Sequence, residues 1–166
     1  MTATRFLATF FCVGLLRPAP GTWGSMAAIP VAYLLHWLGG FPLLLIATAA
    51  TAAIGWWTIR TELLRGTDPD PSEIVIDEAV GMWIALLPLS AGLWFSGVPS
   101  YVFPYPGWLG AFFLFRLFDI WKPGPVGWAE RLHGEWGVML DDMIAGVLAA
   151  VAVSVAAFVS HTWFMG

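Results

Sequence analysis

Long apolar stretches without formal charge leave this chain few ways to fold. Phe41–Ile59, Ala79–Ser96 and Ile144–Phe164 contain no Asp, Glu, Lys or Arg. Each is close to the ~20 residues that a helix needs to cross the hydrocarbon of a bilayer. Thr22–Leu38 is a little shorter and equally free of these charges. Tyr101–Phe115 is aromatic and interrupted by Pro104 and Pro106; its helix is expected to begin near Pro106 and to run to about Ile120. Charged residues make up only 11% of the chain, against about 25% in an ordinary soluble domain. A soluble core of this size could not hide so much apolar surface, and in lipid each segment must satisfy its own backbone, which favours helices. The reading is all-α: one membrane-embedded domain over residues 1–166, with about four to five hydrophobic helices. Phe6–Leu16, between Arg5 and Arg17, is too short to span. It is expected to be an N-terminal helix in the interface or buried against the bundle. A signal-peptide core fits less well, because Arg17-Pro18-Ala19-Pro20 follows it rather than a small-residue cleavage site.

If five spans alternate, all seven basic residues fall on one side. Arg5 and Arg17 precede the first span. Arg60 and Arg65 follow the second, and Arg116, Lys122 and Arg131 lie between the fourth and fifth. The positive-inside rule makes that side cytoplasmic. The acidic residues, including Glu62, Asp68, Asp70, Glu130 and Glu135, obey the same partition, although no such rule binds them. A polar working face at the membrane surface explains the agreement. No basic stripe suggests nucleic-acid binding. The lone cysteine, Cys12, permits neither a disulfide within the chain nor a cysteine metal site.

Four polar groupings lie on that face. In Pro20-Gly21-Thr22-Trp23-Gly24-Ser25, Thr22 or Ser25 could cap a helix, and a glycine-rich helix start can hold an anion. A plain N-cap would look the same. In Glu73-Ile74-Val75-Ile76-Asp77-Glu78, residues 73 and 77 would share a helical face. Like charges so close repel unless a proton or cation joins them, and a hard divalent ion suits oxygen ligands. In Phe115-Arg116-Leu117-Phe118-Asp119-Ile120-Trp121-Lys122-Pro123, Arg116, Asp119 and Lys122 recur every three residues. Arg and Lys can hold a phosphate, although an intrahelical Arg116–Asp119 pair with a snorkelling Lys122 is also open. In Gly137-Val138-Met139-Leu140-Asp141-Asp142-Met143-Ile144-Ala145-Gly146, adjacent aspartates stand at a membrane threshold, where ionisable groups are costly. Ala145 and Gly146 would let a neighbouring helix approach closely.

Acidic pairs for a metal, with Arg and Lys for an anion, point to phosphoryl chemistry on a lipid head group. Known phosphatase signatures do not fit. Cys12 and Arg17 have the wrong spacing for a cysteine phosphatase. Asp68-Pro69-Asp70-Pro71-Ser72 lacks a preceding buried strand and reads as a turn. No Ser-Gly-His segment is present, and only His133 among the histidines lies on the working face. A transporter or ion pathway would need polar groups at depth or on both sides. A head-group phosphotransferase would also use acids and a metal, but its expected Asp-Gly/Ala-Arg pattern is missing.

The four groupings, in this order, resemble the bacterial phosphatidylglycerophosphatase A family, over roughly Phe6 to Val155. The resemblance implies a magnesium-dependent, multi-pass enzyme of the inner (cytoplasmic) membrane. Its substrate would be a phospholipid: it would remove the terminal phosphate of phosphatidylglycerophosphate to give phosphatidylglycerol and phosphate. On this reading Glu73, Asp77, Glu78, Asp119, Asp141 and Asp142 supply a magnesium site, not all as direct ligands. Arg116 and Lys122 hold the phosphate. Thr22, Ser25 and the helix start at Gly24 hold a second anionic group. Asp141 or Asp142 positions or deprotonates the attacking water.

Overall fold

The computed structural model describes residues 1–66 and 71–164. Asp68 and Asp70 therefore lie outside the described residues, together with most of the Asp-Pro turn that contains them. Six α-helices follow one another: α1 (Ala3–Ala8), α2 (Pro20–Arg65), α3 (Ile76–Phe95), α4 (Tyr105–Trp121), α5 (Gly124–Glu130) and α6 (Glu135–Phe164). The described residues contain no strand. Of these helices α2, α3 and α6 are long and apolar enough to cross a membrane.

At 46 residues, α2 would measure about 69 Å if straight, far more than a bilayer needs. It is broken at Gly39 and Gly40, whose dihedrals are not helical (φ −152°, ψ 15° and φ 62°, ψ −156°). Gly40 is needed twice over. Its φ lies in the left-handed region, and the Trp94 ring fills the space that a Cβ would take. Before the break, Trp83 Nε1 donates to Ala28 O (2.8 Å) and His36 Nδ1 bonds Ser90 Oγ (2.7 Å), so this arm runs alongside α3 in the same direction. After it, Phe41 packs on Phe95 and Gly55 lies against Ile76, so the second arm runs back. The α2 helix is thus a hairpin of two arms, as two separate apolar stretches flanking Gly39-Gly40 lead one to expect.

Alternation continues from there. The α3 helix leaves the end where α2 began, α4 returns to it, and α6 leaves again. Gly107 packs on Leu89 near one end of the α3–α4 pair, and Phe115 lies on Gly81 nearer the other. The α3 and α6 helices approach closely. Cβ atoms at Gly146 and Gly81 would strike the carbonyl oxygens of Gly81 and Asp142, respectively. Small residues at this crossing allow near backbone contact, the usual device for packing helices in lipid.

The segment Phe6–Leu16 differs from its expectation. It is not one helix. After α1, Phe10, Phe11 and Cys12 take positive φ (44°, 59° and 72°), and a 3-10 turn follows at Val13–Leu15. Docking explains the break. Ala8 O accepts the N–H of Val75 (3.0 Å), and Phe10 turns inward onto Trp83. Phe11, Leu15 and Leu16 stay exposed.

Candidate active site

The polar groups gather where α3 and α6 begin and α4 ends. Asp77 and Glu78 occupy the first turn of α3, where negative charge is favoured by the helix dipole. Asp141 and Asp142 lie in the second turn of α6, because that helix starts at Glu135 rather than at the aspartates. Arg116 and Asp119 project from the last turns of α4. Lys122 caps that helix in the left-handed conformation (φ 50°, ψ 55°), a strained state for a residue with a Cβ. Pro123 follows and prevents continuation.

These side chains line one cavity of about 380 Å³. One oxygen from each of Asp77, Glu78 and Asp142 lies within 4.8 Å of the others. Asp77 and Asp142 are only 5% and 4% exposed, so water screens them poorly. Glu78 Oε2 is buried with no hydrogen-bond partner among the described residues. A buried carboxylate oxygen left unpaired carries its desolvation cost uncompensated. Three crowded oxygen donors, one unpaired, suit a hard divalent cation. Asp119 adjoins this trio through Asp142.

The cationic side is equally defined. Arg116 Nη1 stands 2.6 Å from Asp119 Oδ2. The contact is electrostatic and poorly aligned, because Nη1 and Nε both remain buried without a hydrogen-bond partner. Nε is therefore unspent, and Nη1 is held to Asp119 by charge alone. Lys122 Nζ donates to Glu130 Oε1 (2.8 Å) and to Asp141 Oδ2 (2.9 Å). Burial by itself would lower its pKa, but these two carboxylates outweigh that and raise it, so the ammonium stays charged. Asp141 Oδ1 accepts the backbone N–H of Asp142 (2.9 Å). Both Asp141 oxygens are thus engaged, which makes Asp141 the anchor of Lys122.

Several expected residues fall elsewhere. Glu73 does not join the cluster. The α3 helix begins at Ile76, because Val75 turns its N–H to Ala8, so residues 73 and 77 never share a helical face. Glu73 pairs with Arg5 (2.5 Å) and Arg17 (3.9 Å) instead. Neither Thr22 nor Ser25 is an N-cap. The α2 helix starts at Pro20, with Ala19 before it and no side-chain cap. Ser25 is fully buried and its hydroxyl donates back to Gly21 O (2.8 Å). A Cβ at Gly24 would press on Val75, so this glycine serves packing. None of Thr22, Gly24 and Ser25 lines the cavity, whereas Gly21 does. A side chain at Gly21 would collide with Glu78 Oε1.

The structure adds Gly21, Glu130 and His133 to the lining. Gly21 belongs to the first grouping, and its role follows only from contact with α3. Glu130 lies eight residues after Lys122, at the far end of α5, a spacing with no sequence signature. His133 is legible only as the one histidine on the polar side.

A family model described as phosphatidylglycerophosphatase A matches residues 6–157. The chain is 36% identical to phosphatidylglycerophosphatase A of Escherichia coli (strain K12), covering 98% of this chain and 86% of the relative. It is also 36% identical to the protein of that name from Haemophilus influenzae, covering 90% and 85%. A Bacteroides thetaiotaomicron protein named "Putative phosphatidylinositol-3-phosphatase" is 38% identical, with 92% of each chain covered. No solved structure matches the chain. The polar groupings that build the cavity lie within the matched residues, and the chain belongs to the phosphatidylglycerophosphatase A family.

Proposed function

We propose that this chain is a magnesium-dependent phosphatase of the bacterial inner membrane. It hydrolyses the terminal phosphate of phosphatidylglycerophosphate, giving phosphatidylglycerol and inorganic phosphate. One observation carries the reading: Asp77, Glu78 and Asp142 converge with Arg116 and Lys122 in a single cavity, at one end of a bundle whose membrane-crossing helices are otherwise apolar. The names of the two phosphatidylglycerophosphatase relatives support the substrate.

Asp77, Glu78 and Asp142 would hold the magnesium ion, with Asp119 beside them. When bound, a divalent ion supplies positive charge to the phosphoryl oxygens and eases formation of a nucleophile from water. The chain supplies the rest. Arg116 offers its unpartnered Nε, and the Nη1 that faces Asp119, to phosphoryl oxygens, and guanidinium geometry suits such a grip. Lys122 has three N–H donors, of which Glu130 and Asp141 take two; the third can reach a phosphate. Asp142, whose oxygens are not held by Lys122, orients the attacking water and takes its proton. Asp141 keeps Lys122 in place. The basic residues share the end that carries the cavity, which supports a cytoplasmic active site under the positive-inside rule.

Purified protein given phosphatidylglycerophosphate, phosphatidate or phosphatidylinositol 3-phosphate, with and without magnesium, tests this. Magnesium-dependent phosphate release, fastest from phosphatidylglycerophosphate, is the expected result. Release fastest from the inositol lipid would move the substrate toward the Bacteroides relative's name. No release from any of them would defeat the phosphatase reading.

A further inference from the structure

Cleaving the terminal phosphate leaves a glycerol alkoxide, a poor leaving group unless a proton or a cation meets it. The cavity contains few side chains able to give a proton near neutral pH. Arg116 does not release one. Lys122 is fastened between Glu130 and Asp141, which hold it charged. Asp77 and Glu78 are given to the cation and Asp142 to the cation and the attacking water, Asp119 is set against Arg116, and Glu130 and Asp141 hold Lys122.

His133 is left. It lies in the turn between α5 and α6, where Gly134 takes a left-handed φ of 75° and lets the chain reverse. That reversal places His133 in the lining of the same cavity as Lys122, Glu130 and Asp141. The residue is exposed, so its ring can exchange protons with water. His36 and His161 bond within the bundle or to their own helix, and His133 is the histidine that lines the cavity. Histidine is the residue type whose charge changes at physiological pH, which suits a general acid.

We propose that His133 is the general acid that protonates the departing glycerol oxygen. The inference rests on the phosphatase reading above. The oxygen of water forms a bond to phosphorus while the bond from phosphorus to the glycerol oxygen breaks. The electron pair of that bond goes to the glycerol oxygen, which takes the imidazolium proton and leaves as a hydroxyl. The proton lost by water passes to a cavity carboxylate, then to solvent, and the imidazole recovers one from solvent. One water is consumed and no oxidant or reductant is needed.

The test compares two leaving groups in the intact protein with magnesium present. One substrate is phosphatidylglycerophosphate. The other is a lipid analogue whose terminal phosphate is a nitrophenyl ester, which departs without a proton. In His133→Gln and His133→Ala the glycerol ester should slow by about 10²- to 10⁴-fold, the usual span for a general acid. The aryl ester should slow by less than about tenfold, so the aryl-to-glycerol ratio rises by at least about tenfold. Partial misfolding lowers both rates alike and cannot raise that ratio. A ratio equal to that of the unsubstituted enzyme, at whatever absolute rate, would overturn the role of His133 and assign charge control at the leaving oxygen elsewhere. No release from either ester by the unsubstituted enzyme would instead overturn the phosphatase reading, and this inference with it.

Discussion

Gly81→Ala asks whether the geometry of the proposed cation site depends on how closely two helices approach. Gly81 lies one helical turn beyond Asp77 on α3, against the segment of α6 that carries Asp142. The added carbon would stand 2.6 Å from Asp142 O and 2.6 Å from Phe115 Cε2, whereas ordinary contact begins at 3.4 Å. A rotating side chain could yield, but the Asp142 carbonyl belongs to a helix and Phe115 is fully buried between helices. The helices must therefore part by up to about 0.8 Å, because repulsion rises steeply inside contact distance. Overpacking of this kind costs about 1–3 kcal/mol. The functional effect should be larger than the loss of stability suggests. Asp77 and Glu78 move with α3 while Asp142 moves with α6, and a displacement near 1 Å can cost about 10²-fold in rate. The expected result is a folded protein with turnover reduced about 10²-fold and magnesium half-saturation shifted to higher concentration. Phosphate release against magnesium concentration, with thermal melting of the same preparation, reads both. Unchanged turnover and unchanged magnesium dependence would refute the argument that the α3–α6 crossing sets the site.

Other substitutions separate the roles within the cavity. If the proposed magnesium site exists, magnesium should raise the Tm of the unsubstituted protein, a stabilisation of about 2.7 kcal/mol at 100 times Kd, and Asp77→Asn should abolish both turnover and that rise. Asp141→Asn should also abolish turnover but keep that rise, because Asp141 secures Lys122 (2.9 Å) rather than the cation; loss of the rise would place Asp141 among the ligands. Glu73→Gln should leave turnover within about twofold, since its partners Arg5 and Arg17 are exposed and such pairs contribute about 0–1 kcal/mol. Ser25→Ala should cost about 1 kcal/mol of stability, for one buried hydrogen bond, with KM unchanged; a large rise in KM would return Ser25 to the substrate.

Features that depend on length and charge were legible in the sequence. The apolar stretches on either side of Gly39-Gly40 have the length of two spans, so the hairpin follows from bilayer thickness. Gly146 was readable as a point of close approach, although its partner, Gly81, was not. The errors came from continuing local periodicity across a point where tertiary contact ends it. Glu73 and Asp77 have helical spacing, but Ala8 takes the Val75 N–H and helix α3 starts later. Phe6–Leu16 has the composition of one helix, yet the same docking bends it at Phe10–Cys12. Thr22 and Ser25 look like caps, but Pro20, favoured in the first turn of a helix, starts α2 before either of them.

The polarity of this end of the bundle runs against the stability of the bare fold. Burying Asp77, Glu78 and Asp142 together destabilises a bare bundle, because like charges in a poorly screened site repel. The glycines at the α3–α6 crossing increase the repulsion by drawing the two helices together. Stability alone would favour an apolar residue at Asp142. A site that must clasp a cation between helices needs both the close approach and the acids. Arg5, Arg17, Arg60 and Arg65 are paired with Glu73, Glu135 and Glu62 around the rim, and nothing in those pairs requires a ligand. Among the described residues, the buried charged groups left without a hydrogen-bond partner are in the cavity, Glu78 Oε2 on one side and Arg116 Nε and Nη1 on the other, while the neutral His36 Nε2 and Trp56 Nε1 are unpartnered elsewhere in the bundle. An unpaired acceptor facing a cation site and unpaired donors beside it are complementary to a metal and a phosphate bound side by side. The one-sided charge of the sequence therefore has two origins, a rim that satisfies itself and a centre whose unpartnered groups fit the proposed metal and phosphate.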